Sequence, residues 1–68
     1  MYKIEFLLKN LRNKKNLTQK ELARRCNLSQ AYLSLLETNS RSPKLITIEK
    51  IANVLEVDPF EFIIKKRI

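Results

Sequence analysis

The chain has 68 residues, with 14 Lys and Arg against 7 Asp and Glu, no histidine, no glycine and one cysteine, for a formal charge of +7 and a pI near 9.9. A chain this short makes one domain and buries only about 60% of the surface its unfolded form exposes, so there is little room for a catalytic cleft. Without histidine, and with Cys26 alone, it offers neither a zinc cluster nor an internal disulfide; no metal or other cofactor is expected. The basic excess favours a polyanionic partner, nucleic acid first and an anionic membrane surface second. No apolar run approaches the ~20 residues of a membrane span, and the start MYKIEFLLKNLRNKK mixes charge too closely with its apolar residues for a secretory signal, so a cytoplasmic protein is expected.

Residues 4–15 place Ile4, Leu7, Leu8 and Leu11 at helical spacing, with Lys9, Arg12, Lys14 and Lys15 elsewhere on the cylinder, which predicts a first helix. A second opens at Thr18: the threonine can cap it, Glu21 can reach back from the third helical position, and Leu17 can staple against Leu22. Its inward face would be Leu22, Ala23 and Cys26, and Asn27 stops it. Ser29 caps a third helix with Leu28 facing Leu33; this helix buries Leu33 and Leu36 and runs to about Glu37, stopping near Asn39. The polar TNSRSPK is the evident loop. Apolar positions 45, 48, 51, 52 and 55 mark a fourth helix, and Asp58 caps a fifth with Pro59 first and Glu61 third. No strand pattern interrupts the series, so the expectation is one all-α domain of five helices over residues 1–68.

Helices two and three are joined by a turn of about three or four residues, the signature of a helix-turn-helix whose second helix can enter a major groove. "LTQKELARRCNLSQAYLSLLE", Leu17 to Glu37, resembles the phage repressor and Cro family of helix-turn-helix proteins. "NSRSP" followed by "LITIEKIANVLEVDPFEF" resembles that family's later loop and helices. The likeness covers nearly the whole chain, and its elements are specific when taken together in order. It implies a lambda-repressor-like fold with the helix-turn-helix at about 18–37. Glycine often ends the first four helices in that family; here Asn16, Asn27, Asn39 and Glu56 stand at those places. Asparagine accepts a left-handed backbone at smaller cost than other non-glycine residues. Glu56 gains no comparable local hydrogen bond, so it is either strained or the helix ends one residue away.

The resemblance also implies roles. Gln30, Ala31, Ser34 and Leu35 would face the bases, Gln30 pairing with adenine N6 and N7, and Ala31 or Leu35 touching a thymine methyl. For Leu35, and for Tyr32, a protein interface is the alternative. Gln19, Ser29, Tyr32, Asn39, Arg41 and Lys44 would meet phosphates, although any one basic residue taken singly reads as a solvated charge. Lys65, Lys66 and Arg67 lie at the far end of the chain, where they suit solubility. Arg12 and Glu37 would form a structural ion pair locking the third helix to the first.

DPFEFIIKKRI is richer in apolar groups than one helix of a small monomer needs. Phe60, Phe62, Ile63 and Ile64 are expected at a dimer interface, putting two reading helices about 34 Å apart on an inverted repeat. A monomeric DNA-binding domain, or a piece of a longer regulator whose dimerisation region is missing, is the alternative; the initial methionine and compact ending argue against truncation, and a stand-alone chain of this length with an apolar last helix suits a small repressor or controller of restriction-modification or mobile-element genes. Other function classes fit less well. An enzyme lacks residues to work with, and Cys26 falls on an apolar face. A membrane-surface helix would need its basic residues gathered on one helix. A protein-binding module, or an antitoxin subunit contacting a protein partner, remains the competing use of the same fold.

Overall fold

Four residues have positive φ, and they are Asn16, Asn27, Asn39 and Glu56, at φ 56°, 59°, 59° and 57°. In the computed structural model, which describes residues 1–68, each follows or ends a helix. These helices are α1 (Leu8–Lys14), α2 (Gln19–Arg25), α3 (Gln30–Glu37) and α4 (Leu45–Leu55). All four close alike: the left-handed residue's N–H returns to Asn13, Arg24, Leu36 or Asn53, and the next N–H reaches back to Arg12, Ala23, Leu35 or Ala52. This closure satisfies carbonyls that a helix end otherwise leaves open. Glu56 is therefore left-handed, and α4 ends where the sequence places its end.

The all-α, five-helix expectation fails at both ends of the chain. Tyr2–Phe6 is a strand, β1, and Ile63–Arg67 is a second, β2. They pair antiparallel, from Tyr2 opposite Arg67 to Phe6 opposite Ile63. Ile4, Leu7, Leu8 and Leu11 do fit a helical period, but Tyr2, Ile4 and Phe6 also alternate with Lys3 and Glu5, and a partner from the opposite terminus decides for the strand. At the other end Asp58 does cap: its Oδ1 accepts from the Phe60 N–H at 2.9 Å, with Pro59 first. The result is one 3-10 turn, Pro59–Glu61, because the β-branched Ile63 and Ile64 that follow pair with β1.

The ribbon and the helices share one core. Leu8, Leu22, Ala23, Cys26, Leu33, Leu36, Ile51, Ala52 and Leu55 come from the helices, and Phe6 and Phe62 from the base of the ribbon. Leu17, Leu28 and Val57, each just after a left-handed residue, pack against this cluster. Phe62, expected at a subunit interface, is 1% exposed and fills the core of a single chain, so it offers no surface to a partner. Burying such a side chain contributes about 1.5–3 kcal/mol. No helix is long and apolar enough to cross a membrane.

Candidate nucleic-acid interface

The helix-turn-helix is set by caps at its two starts. Thr18 Oγ1 accepts from the Glu21 N–H at 3.1 Å while Glu21 Oε1 accepts from the Thr18 N–H at 3.2 Å, a complete capping box. Those bonds hold the Glu21 carboxyl below its ordinary range. At α3, Ser29 Oγ accepts from the Tyr32 N–H at 3.1 Å. Leu22, Ala23 and Cys26 on one side and Leu33 and Leu36 on the other bury the angle between the two helices. Burial also raises the Cys26 thiol above its usual value, which suits a packing residue and opposes a nucleophile. With α3's inner stripe committed, Gln30, Ala31 and Leu35 are left exposed and Ser34 half-buried.

A chain of polar contacts joins the first helix to this outer face. Arg12 Nε donates to Glu37 Oε2 at 2.6 Å and Nη2 to Glu37 Oε1 at 3.2 Å, with the two side chains only 9% and 4% exposed. The third guanidinium nitrogen, Nη1, donates to the Leu17 carbonyl at 2.8 Å, at the start of the turn into α2. Glu37 Oε1 also accepts from Gln19 Nε2 at 3.1 Å, and Gln19 Oε1 accepts from Gln30 Nε2 at 3.3 Å. Gln30 thus stands at the exposed end of a relay that begins in a buried ion pair. A side chain held in this way loses less freedom when it meets a base edge than a free one does.

The flanking residues fall into two groups. Arg41 lies 5.7 Å from the centroid of the Tyr32 ring, within cation–π range, so these two are brought together. Neither Arg41 nor Lys44 belongs to the two salt bridges, Arg12–Glu37 and Lys66–Glu5, and both are exposed. Ser29 spends its oxygen on the cap and keeps a hydroxyl proton to donate. Asn39 is engaged elsewhere: its Oδ1 accepts from the Phe6 N–H at 2.8 Å and its Nδ2 donates to the Phe6 carbonyl at 3.2 Å. Phe60 is 79% exposed, whereas Ile63 and Ile64 are half-buried along β2.

The profile of helix-turn-helix proteins matches residues 8–62, most of the chain. The chain belongs to the helix-turn-helix family. This member is 43% identical over 53 residues to an HTH-type transcriptional regulator of Sinorhizobium fredii, covering 78% of this chain and 69% of that protein. It is 40% identical over 47 residues to the control protein C.BamHI of Bacillus amyloliquefaciens, covering 69% of this chain but 58% of the relative. Among solved structures, a DNA-binding candidate from Bacteroides fragilis superposes with a TM-score of 0.86 at 27% identity, over 91% of this chain and all of the other. SinR, solved in complex with DNA, superposes at 0.73 with 31% identity, over 78% of this chain and 86% of the other. By family this helix-turn-helix protein is an XRE-like DNA-binding regulator of transcription and not an enzyme.

Two links in the site escaped the sequence. The Gln19–Glu37 bond spans two helices, and no local pattern marks it, although the resemblance implies other roles for both residues. The Asn39–Phe6 contact needed β1, whose only signal was the alternation of Tyr2, Ile4 and Phe6 with charged residues.

Proposed function

We propose that this chain regulates transcription by reading double-stranded DNA with α3 in the major groove, as a homodimer on an inverted repeat. The observation that carries the proposal is the relay from Arg12 through Glu37 and Gln19 to Gln30, which presents one amide on the exposed face of α3. That amide can bond adenine N6 and N7 as a bidentate pair. Ala31, Ser34 and Leu35 complete the base-facing surface; Leu35 supplies only apolar contact, so thymine methyls suit it. Arg41 and Lys44 supply exposed cations for phosphates, with Gln19, Ser29 and Tyr32 as neutral partners at the helix starts.

For the dimer, support comes from the exposed apolar Phe60, outside the reading face, with the half-buried Ile64 following on β2. Likeness to a restriction-modification control protein and to a DNA-bound regulator favours a small repressor or controller. Selection of bound sequences from a randomised duplex pool at near-physiological salt tests the proposal. Enrichment of an inverted repeat with half-site centres about one helical turn apart is the expected result. Folded protein that enriches no motif would move protein binding to first place.

A further inference from the structure

The free edge of β1 is met by protein at one residue. Leu7 donates across the ladder to the Phe62 carbonyl and Ile68 to the Met1 carbonyl. In an antiparallel pair the pattern alternates, so Tyr2, Ile4 and Phe6 turn their N–H and C=O groups away from β2. Of these, Phe6 has both groups bonded, each to the side-chain amide of Asn39. One amide therefore does at Phe6 what a neighbouring strand would do. Asn39 simultaneously closes the C-terminal end of α3 with its left-handed backbone. Glycine could adopt that φ as readily, but it could make neither side-chain bond.

The junction that Asn39 braces has little polar restraint of its own. Leu7, between β1 and α1, gives the helix no side-chain cap. Apolar packing of Phe6 and Phe62 holds the base of the ribbon, but such packing is not directional. A pair of amide bonds is directional, because donor and acceptor must both face the same residue.

We propose that Asn39 is a positioning residue whose amide fixes the β1–β2 ribbon to the end of the reading helix, so that ribbon and α3 meet DNA and a second copy as one unit. The inference rests on the reading role of α3 proposed above. It assigns Asn39 a task different from the phosphate contact implied by family resemblance. Its consequence is geometric: with the link cut, each α3 still reads its half-site, but the separation between two half-sites is held less strictly.

Asn39→Gly tests this, since it keeps the left-handed backbone and removes both bonds. In the free protein, hydrogen exchange at the Phe6 amide should accelerate about tenfold while the Leu22 and Leu33 amides stay protected. On DNA, affinity for a single half-site and its salt dependence should be unchanged, and the preference among half-site spacings should broaden. Unaltered Phe6 exchange would overturn the link. Faster exchange with an unaltered spacing preference would overturn its role in presenting the helix. A uniform loss on all sequences with the salt slope unchanged, as a neutral amide requires, would make Asn39 a phosphate ligand instead. Should Asn39→Gly fail to fold, wild-type exchange decides the link: slower exchange at the Phe6 amide than at the Tyr2 and Ile4 amides, which also turn away from β2, supports it, and equal exchange overturns it. Wild-type protein that enriches no DNA would sink the proposed function, whereas Phe6 exchange tests the link without DNA.

Discussion

Thr18–Glu37 and the paired chain ends are built by different means. In the first region, helix starts and stops are dictated within a few residues. Thr18 and Glu21 cap each other, Ser29 caps Tyr32, and Asn27 and Asn39 reverse the chain. In the second, Tyr2–Phe6 and Ile63–Arg67 gain structure only by meeting across the length of the chain. Isolated two-stranded ribbons are marginal in water, so this one depends on Phe6 and Phe62 reaching the helical core and on Asn39 holding its edge. Local chemistry makes a region that can be recognised from its own residues; distant pairing makes one that cannot. On the proposed reading the contrast has a functional side: the local region carries the exposed face of α3, and the exposed Phe60 lies next to the paired chain ends.

The contrast can be broken by mutation, and the largest effects should come from groups buried where the regions meet. Glu37→Ala leaves Arg12 buried without its carboxylate and should cost about 3–5 kcal/mol in urea denaturation. Phe62→Ala should cost about as much, roughly 3–5 kcal/mol, if the ribbon is part of the core; a loss under about 1 kcal/mol would mark the ribbon as an appendage. Phe60→Ala, at an exposed position, should leave monomer stability within about 0.5 kcal/mol and instead weaken self-association, read by sedimentation. Removing the α2 cap by Thr18→Ala should cost about 1 kcal/mol. Relieving the left-handed glutamate by Glu56→Gly should stabilise by about 0.5–1 kcal/mol, the gain in backbone strain being partly offset by a freer unfolded chain.

The smallest effect is a dependence on pH. Glu5 is held below its ordinary pKa, chiefly by its hydrogen bond with Lys66, and Glu21 chiefly by the backbone of Thr18. A carboxylate whose folded pKa is depressed stabilises the fold above its unfolded pKa, and that share is lost as pH falls through the folded value. Melting temperature should therefore drop on acidification through the carboxylate range. Lys66→Met should blunt the part due to the ribbon, and Glu21→Gln, which removes the titrating carboxyl, the part due to α2. An acid slope unaltered in both variants would show that neither contact is maintained in solution.

How much of this was legible follows from the same contrast. The reversals at Asn27 and Asn39, the caps at Thr18 and Ser29, and the inner stripes of α2 and α3 could be read because each is decided by near neighbours; family resemblance pointed to Asn16 and Glu56, and for Glu56 it left a shifted helix end as the alternative. Family resemblance supplied the Arg12–Glu37 pair. The ribbon was missed because Ile4 served two periods equally well, and because Asp58 and Pro59 announce a helix start without fixing its length. That error carried over to Phe62, which a helix would have turned to a partner and which the ribbon turns inward. Asn39 shows a subtler limit: its backbone conformation was local and legible, but its side-chain partner belonged to a strand at the other end of the chain.

The central claim is that α3 reads base pairs through a Gln30 held in place from the buried ion pair. The most direct measurement compares wild type and Gln30→Ala on a selected duplex and on an unrelated one, at the same salt. Affinity for the selected duplex should fall by about 1–3 kcal/mol while the unrelated duplex is bound as before. Equal losses on both, or none on either, would contradict a base-reading Gln30 and leave α3 holding DNA by charge and shape alone.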